Sequence, residues 1–153
     1  GRVIRAIEVM TVSGKSIREH EAESLREPCP YHVIELGLRY HDRETLYGRI
    51  NRRVDKMVEM GLTEEVKAAR EQGLTATAAQ AIGCKELYSW LDGKETQEEA
   101  LEKLKQSTRR YAKRQLTWFG TDQRMRWIEP DTLAAGETPL DKAMEILEKE
   151  GMA

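Results

Sequence analysis

Apolar residues return at helical intervals from the start of the chain. Val3, Ile4, Ile7 and Met10 recur every three or four positions, the spacing of one helix face, and Gly14 supplies a stop. The charged stretch 16–26 predicts a short exposed helix or a loop. Pro28-Cys29-Pro30 marks a boundary, because each proline disfavours helical backbone at the residue before it. Residues 31–38, from Tyr31 through Val33 and Ile34 to Leu38, are rich in strand formers and predict a β-strand. Asp42 is placed to cap a helix that carries Leu46, Ile50, Val54 and Met57 on one face and ends at Gly61. Thr63 is placed to cap the next helix, with Glu64 and Glu65 at its positive end and Gly73 after its last turn. A further helical segment covers 76–91, interrupted by Gly83. Thr96 and Glu99 have the spacing of a capping box and open the longest helix, to about Phe119. Arg124–Ile128 alternates polar and apolar residues and predicts a short strand, and Thr138-Pro139 opens a final helix. The pattern predicts a mostly α-helical chain with a few strands.

Composition adds a bound and a contrast. With 153 residues, 39% hydrophobic and 34% charged, the chain fits one compact domain or a piece of a larger protein, and disorder is excluded. The formal net charge of −2 announces no polyanion partner, but the charge is segregated. Between Lys103 and Arg126 stand eight cations against a single acid, Asp122, whereas acids gather at 95–102 and 145–150. Such separation creates a local field under a near-neutral total. Cys29 and Cys84 have no metal-ligand spacing and point to a reducing compartment, and the expected location is cytoplasmic. No apolar run is long enough to span a membrane. The chain begins Gly1-Arg2-Val3-Ile4, inside a periodic pattern and without Met, and reads as a piece cut from a longer protein.

The densest chemistry lies in 107–119, where Arg109, Arg110, Lys113 and Arg114 alternate with Tyr111, Gln115, Trp118 and Phe119. Cations neutralise phosphates and aromatic faces stack on bases, so the run is a candidate surface for nucleic acid or polyphosphate. The alternative is a solvated basic helix face. At 100° per residue, Leu101, Leu104, Thr108, Tyr111, Gln115 and Trp118 share one side, with Lys103, Arg109, Arg110, Lys113 and Arg114 on the other. That division predicts Tyr111 and Trp118 in the core and an outward stripe of phosphate-binding cations. Arg49 and Arg53, four apart with Arg52 and Lys56 beside them, have the spacing to grip a diphosphate. The alternative pairs them with Glu44, Asp55 or Glu59. Ser13-Gly14-Lys15-Ser16 looks like the end of a phosphate loop, but Val9 stands where the first glycine belongs, so a helix-ending turn is expected. His20, His32 and His41 share no metal spacing, and no Ser-His-Asp or Cys-His arrangement stands out. Gly83, within a helical pattern, marks a close approach by a ligand or by a packed helix.

Five blocks in order carry a resemblance: Ile4 to Val9, Thr11 to Lys15, Leu46 to Asp55, Gln80 to Glu86, and Arg109 to Phe119. Together they closely resemble the tRNA dimethylallyltransferase (tRNA isopentenyltransferase) family over nearly the whole chain. The resemblance implies transfer of a dimethylallyl group from dimethylallyl diphosphate to N6 of the adenosine just 3′ of a tRNA anticodon. It implies that this is the C-terminal half of such an enzyme, inactive alone. Residues 1–27 would end a tRNA-gripping helical insertion, and 28–153 would be the C-terminal part of a P-loop-type α/β core. The P-loop, with its catalytic Asp and Thr, would lie in the missing N-terminal half. Magnesium is implied as cofactor with no ligand in this chain, the tRNA anticodon arm as partner, and a monomer for the full protein.

Residue by residue, Arg53 matches the family arginine at the donor diphosphate, with Arg49 beside it. A fixed guanidinium there stabilises the charge that develops on the leaving group. Arg2 and Arg5 match one tRNA-contacting segment. Gln80, Gly83, Cys84 and Lys85 match a second. Arg109, Arg110, Lys113, Arg114, Gln115, Thr117 and Trp118 match a third. Cys84 stands where the family commonly has Tyr, and Gly120 where a cation is common. Two other readings compete. One is a stand-alone helical RNA-binding module without catalysis. The other is a nucleoside or nucleotide kinase relative, reached through Arg49 and Arg53.

Overall fold

The computed structural model describes every residue except 27, 28, 74, 76 and 153. The backbone forms two compact units, Gly1–Val33 and Ile34–Ala153. The expected boundary at 27/28 lies outside the described residues.

The first unit holds α1 (Arg2–Ser13) and α2 (Ile17–Ser24). Gly14 closes α1 with φ 71 and donates its N–H to the Met10 carbonyl. This is the left-handed cap that glycine adopts without a Cβ clash. Ser16 then caps α2, accepting from the Glu19 N–H while the Glu19 carboxylate accepts from Ser16 N–H. Ser13-Gly14-Lys15-Ser16 is therefore a turn between helices, as expected. The apolar stripe Val3, Ile4, Ile7 and Met10 lies exposed.

The second unit contains β1 (Leu36–Leu38), α3 (Arg43–Glu59), α4 (Leu62–Glu71), α5 (Cys84–Leu91), α6 (Gln97–Phe119), β2 (Arg126–Ile128) and α7 (Pro139–Lys149). Its core joins α4, α5 and α6 through Val66, Leu87 and Ala100, with Leu62, Cys84, Tyr88, Trp90 and Leu101 packed around them. β1 and β2 pair in parallel, Leu36 against Arg126 and Leu38 against Ile128. A Cβ at Gly37 would sit 2.7 Å from Trp127, so the ring lies directly over glycine backbone.

Three expectations need correction. The strand expected over 31–38 is reduced to its last three residues. The ladder is only as long as β2, bounded by Arg126 N–H to the Glu35 carbonyl at 2.8 Å and Arg39 N–H to the Ile128 carbonyl at 3.1 Å. Strand propensity measures fit to a sheet, and residues 31–35 have no partner strand among the described residues. Second, Thr63 is no cap. Gly61, at φ 98, redirects the chain so that α4 starts at Leu62. Thr63 is then 5% exposed inside the first turn, its hydroxyl donating to Glu64. Third, the segment expected over 76–91 is interrupted at Gly83 as expected, but its first part is a single 3₁₀ turn at Ala78–Gln80 rather than helix, and α5 follows; residue 76 lies outside the described residues. Gly83 adopts φ 107 at the junction, and the Glu86 carboxylate accepts its N–H at 2.9 Å. The caps at Asp42, Thr96 and Thr138 stand where expected.

Candidate nucleic-acid interface

α6 positions most of the expected site, and its faces differ from the simple helical division. Its inner seam runs through Ala100, Leu104, Thr108, Ala112 and Leu116. Trp118 is 77% exposed and Tyr111 45%, so neither is core. The reason is that α6 has several partners. Ala100 packs with Leu87 of α5, Lys105 and Arg109 reach Asp55 and Asn51 of α3, and Ala112, Leu116 and Phe119 face a cleft shared with β1 and β2. A single wheel assumes a single partner, whereas this seam winds around the helix from one neighbour to the next.

Arg109 also leaves the expected outward stripe. Its guanidinium donates to Asn51 Oδ1 at 2.7 Å, lies 6.0 Å from the Tyr47 ring centroid and pairs with Glu102 at 3.1 Å, so it ties α6 to α3. Lys103 pairs with Glu95. What remains exposed on α6 is Arg110, Lys113 and Arg114, with Arg114 over the Tyr111 ring at 5.7 Å. None of the three has a carboxylate within ion-pair distance among the described residues. Gln115, Thr117 and Trp118 are exposed beside them, and the Thr117 hydroxyl donates to the Lys113 carbonyl at 3.0 Å.

α3 repeats this condition. Arg43, Arg49, Arg52, Arg53 and Lys56 have no carboxylate partner among the described residues. Asp55, the acid expected to neutralise Arg49 or Arg53, is taken by Lys105 at 2.6 Å. Arg49 instead lies over the Tyr40 ring at 5.3 Å, and Arg43 Nε donates to the Tyr47 hydroxyl at 2.8 Å. By contrast the cations of β2 and α7 are matched, Arg126 with Glu150, and Lys142 and Lys149 with Glu145.

The two helices meet beyond the carboxyl end of β1, the place where open parallel sheets hold ligands. A cleft of about 300 Å³ there is lined by Tyr40, His41, Arg43, Tyr47 and Lys113. An adjoining cleft of about 420 Å³ is mostly apolar, with Leu38, Leu116, Phe119 and Trp127 in its walls and Gln115 at its edge. Asp131 accepts the backbone N–H groups of His41 and Asp42 at 2.9 and 2.8 Å and fixes the loop into α3. The Thr45 hydroxyl and N–H hold the Asp42 carboxyl below the usual carboxylate range. Tyr40, His41 and Arg43 are functional candidates that the sequence reading missed. Their signal was position, between a strand end and a helix cap.

Gln80, Cys84 and Lys85 line neither of these clefts. Gln80 is exposed at the end of the 3₁₀ turn, Cys84 packs half-buried against the core with a free thiol, and exposed Lys85 stands 3.6 Å from Glu86. Arg2 and Arg5 are exposed on α1 in the first unit, Arg5 3.5 Å from Glu8. Among the described residues no three His, Cys, Asp or Glu side chains come together as a metal site. No described helix is long and apolar enough to cross a membrane.

Comparison with known proteins gives this arrangement a context. The tRNA dimethylallyltransferase of Halalkalibacterium halodurans is 46% identical over 129 residues, covering 84% of this chain and 41% of the relative. That of Shouchella clausii is 45% identical over 152 residues, covering 99% and 48%. The crystal structure of tRNA delta(2)-isopentenylpyrophosphate transferase from Staphylococcus epidermidis matches with a TM-score of 0.71 at 39% identity, over 97% of this chain and 48% of that one. The chain thus spans less than half the length of each of these relatives. A family model described as IPP transferase matches residues 1–122, a range that takes in α1, the arginines of α3 and the basic length of α6. On that match and these identities, the chain belongs to the IPP transferase family.

Proposed function

We propose that this chain is the tRNA-holding part of a tRNA dimethylallyltransferase, which moves a dimethylallyl group from its diphosphate to N6 of the adenosine 3′ to the anticodon. The observation that carries the reading is the set of unpaired cations on α3 and α6 beside the exposed Trp118, in a chain whose relatives bear that name. Arg110, Lys113 and Arg114 contact RNA phosphates, and Trp118 offers a face to an unstacked base. Gln80 to Lys85 extend the grip, and Arg2 with Arg5 offer RNA contacts of the first unit's own. The segment after β1 and the length of the relatives that this chain does not span, with the P-loop and its catalytic Asp and Thr, would enclose the donor.

In the transfer, the allylic C–O bond breaks and diphosphate leaves with the electron pair. Adenosine N6 forms the new C–N bond and sheds a proton. Arg53, with Arg49, meets the charge growing on the diphosphate; a guanidinium without a carboxylate partner is free to do so. The adenosine leaves its stack to reach the donor, which requires phosphate contacts on both sides of it. A binding module without catalysis is disfavoured by relatives named as transferases over 84% and 99% of the chain.

The test restores the missing length from a relative and measures transfer of labelled dimethylallyl to tRNA. Arg53→Ala is expected to lower the rate on the order of a hundredfold while RNA affinity stays within about twofold. An unchanged rate removes Arg53 from the reaction.

A further inference from the structure

The short connection from β1 to α3 is held by two acids that follow β2. Asp131 accepts the backbone N–H groups of His41 and Asp42 at 2.9 and 2.8 Å. Glu129 takes Arg39 Nε at 2.7 Å and lies 3.5 Å from His41 Nδ1. Both acids lie beyond residues 1–122, the range that the family model matches. Asp42, fixed in this way, turns its own carboxylate onto the first turn of α3. There the Thr45 hydroxyl and N–H donate at 2.6 and 2.7 Å, and the Glu44 N–H at 3.4 Å. All three carboxylates are occupied by these internal bonds.

The cleft of about 300 Å³ beside this loop is lined by His41, Arg43 and Lys113 with Tyr40, Tyr47 and two leucines, and by no acid. His41, Arg43 and Lys113 are exposed, so a ligand can reach them. The aim of Arg43 is fixed. Its Nε donates to the Tyr47 hydroxyl at 2.8 Å, and its guanidinium lies 5.1 Å from that ring's centroid. Its two Nη groups have no carboxylate partner among the described residues. Lys113 comes from α6 and is likewise without one. A guanidinium held by a ring and an ammonium from a second helix, in one cleft without acids, suit a phosphate group. Its oxygens accept from several directions and need no matched edge.

We propose that the Arg43–Lys113 cleft binds a phosphate group, of the RNA backbone or of the donor's diphosphate, and that Asp131 is its positioning residue. The proposal rests on the tRNA-holding reading above. Asp131 acts through the backbone rather than by contact with the ligand. By pinning His41 and Asp42 it sets where Arg43, the next residue, begins α3, and so lowers the ordering that binding would otherwise require. The sign of its effect separates this role from simple electrostatics. An acid near an anion site repels the ligand, so its removal should tighten binding. Removal of a positioning acid should weaken it.

The test uses the full chain with two probes, a fluorescent anticodon hairpin and inorganic diphosphate. If the phosphate is the RNA's, Arg43→Ala should flatten the log–log salt dependence of hairpin binding by about 1, as one cation is lost. If it is the donor's, hairpin binding is unaffected and calorimetric binding of diphosphate is lost instead. On whichever probe responds, Asp131→Ala should weaken binding about fivefold although it removes a negative charge, with helicity by circular dichroism unchanged. Asp131→Asn makes the same charge change but keeps one accepting oxygen, and should retain more of the affinity; it replaces the alanine variant if that one loses helicity. Combined with Arg43→Ala, the loss of Asp131 should weaken binding no further, because both act at one contact. If Arg43→Ala leaves both probes unchanged, the site is overturned. If both Asp131 variants bind as tightly as the parent chain or more tightly, Asp131 has no positioning role. Either result leaves the tRNA-holding reading standing. If the parent chain ignores the hairpin at low salt, that reading fails, and the proposal that rests on it fails too.

Discussion

At position 37 the fold has room for hydrogen and nothing larger. A Cβ there would stand 2.7 and 2.8 Å from Trp127 ring carbons and 2.9 Å from Met125 Cε. Gly37→Ala is expected to destabilise the chain by about 1–3 kcal/mol, the usual cost of overpacking, as a lower urea midpoint at unchanged slope. An unaltered midpoint would mean that Trp127 can move aside freely. Gly120 has a related constraint, because a Cβ there would lie 2.7 Å from the Leu116 carbonyl oxygen. A larger residue at this position requires the last turn of α6 to relax. Asp122 supplies a pH-dependent contribution. Hydrogen bonds from the Arg124 side chain, then from its backbone, draw the Asp122 carboxyl from 3.8 down to about 2. Because the folded value lies below the unfolded one, this stabilisation is present above about pH 4 and is lost as pH falls through about 2. The pair is exposed, so the effect is small. Urea midpoints should decline over that window, less steeply in Asp122→Asn, and superimposable pH curves would remove Asp122 from the acid response. The Gly37 contact is not written in local sequence, since Gly37 and Trp127 meet across 90 positions, whereas Asp122 and Arg124 are only two apart.

At the scale of the element, α6 is both a scaffold and a surface. Its start was legible because a capping box is a local device; Thr96 and Glu99 satisfy each other's backbone N–H groups at 3.2 and 2.9 Å. Its outward face was not legible, because three neighbours draw the buried seam around the helix. Tyr111 and Trp118 are thereby exposed beside Lys113 and Arg114. Trp118→Ala should cost roughly 1–3 kcal/mol of affinity for a single-stranded RNA loop with helicity unchanged. Full retention of affinity would return Trp118 to a bystander. Replacing Lys113 and Arg114 together by alanine should flatten the log–log salt dependence of binding by about 2, as two phosphate contacts are lost. An unchanged slope would place the clamp elsewhere, with α3 the first alternative. Arg109 belongs to the scaffold, and its removal should loosen α3 from α6.

At the scale of the whole molecule, a formal charge of −2 conceals the cations of α3 together with Arg110, Lys113 and Arg114 of α6, which have no carboxylate partners among the described residues. The chain spans 41% and 48% of two relatives, and β1 and β2 form a sheet of only two strands among the described residues. By itself the chain should bind an anticodon hairpin at low salt and transfer no prenyl group, with transfer appearing once the remaining length is supplied. Transfer by the chain alone would show that it carries its own donor site. The sequence by itself determined the family, the helix starts at Asp42, Thr96 and Thr138, and the segregation of charge. These depend on residues close together, where caps and spacing act through local hydrogen bonds and backbone geometry. Tertiary structure alone decided that the strand shrinks to Leu36–Leu38, that Asp55 serves Lys105 and leaves Arg49 and Arg53 without a carboxylate among the described residues, that Trp118 faces outward, and that Asp131 fixes the loop into α3. Each depends on which distant surface packs against a helix, and burial and pairing are properties of that meeting rather than of either segment.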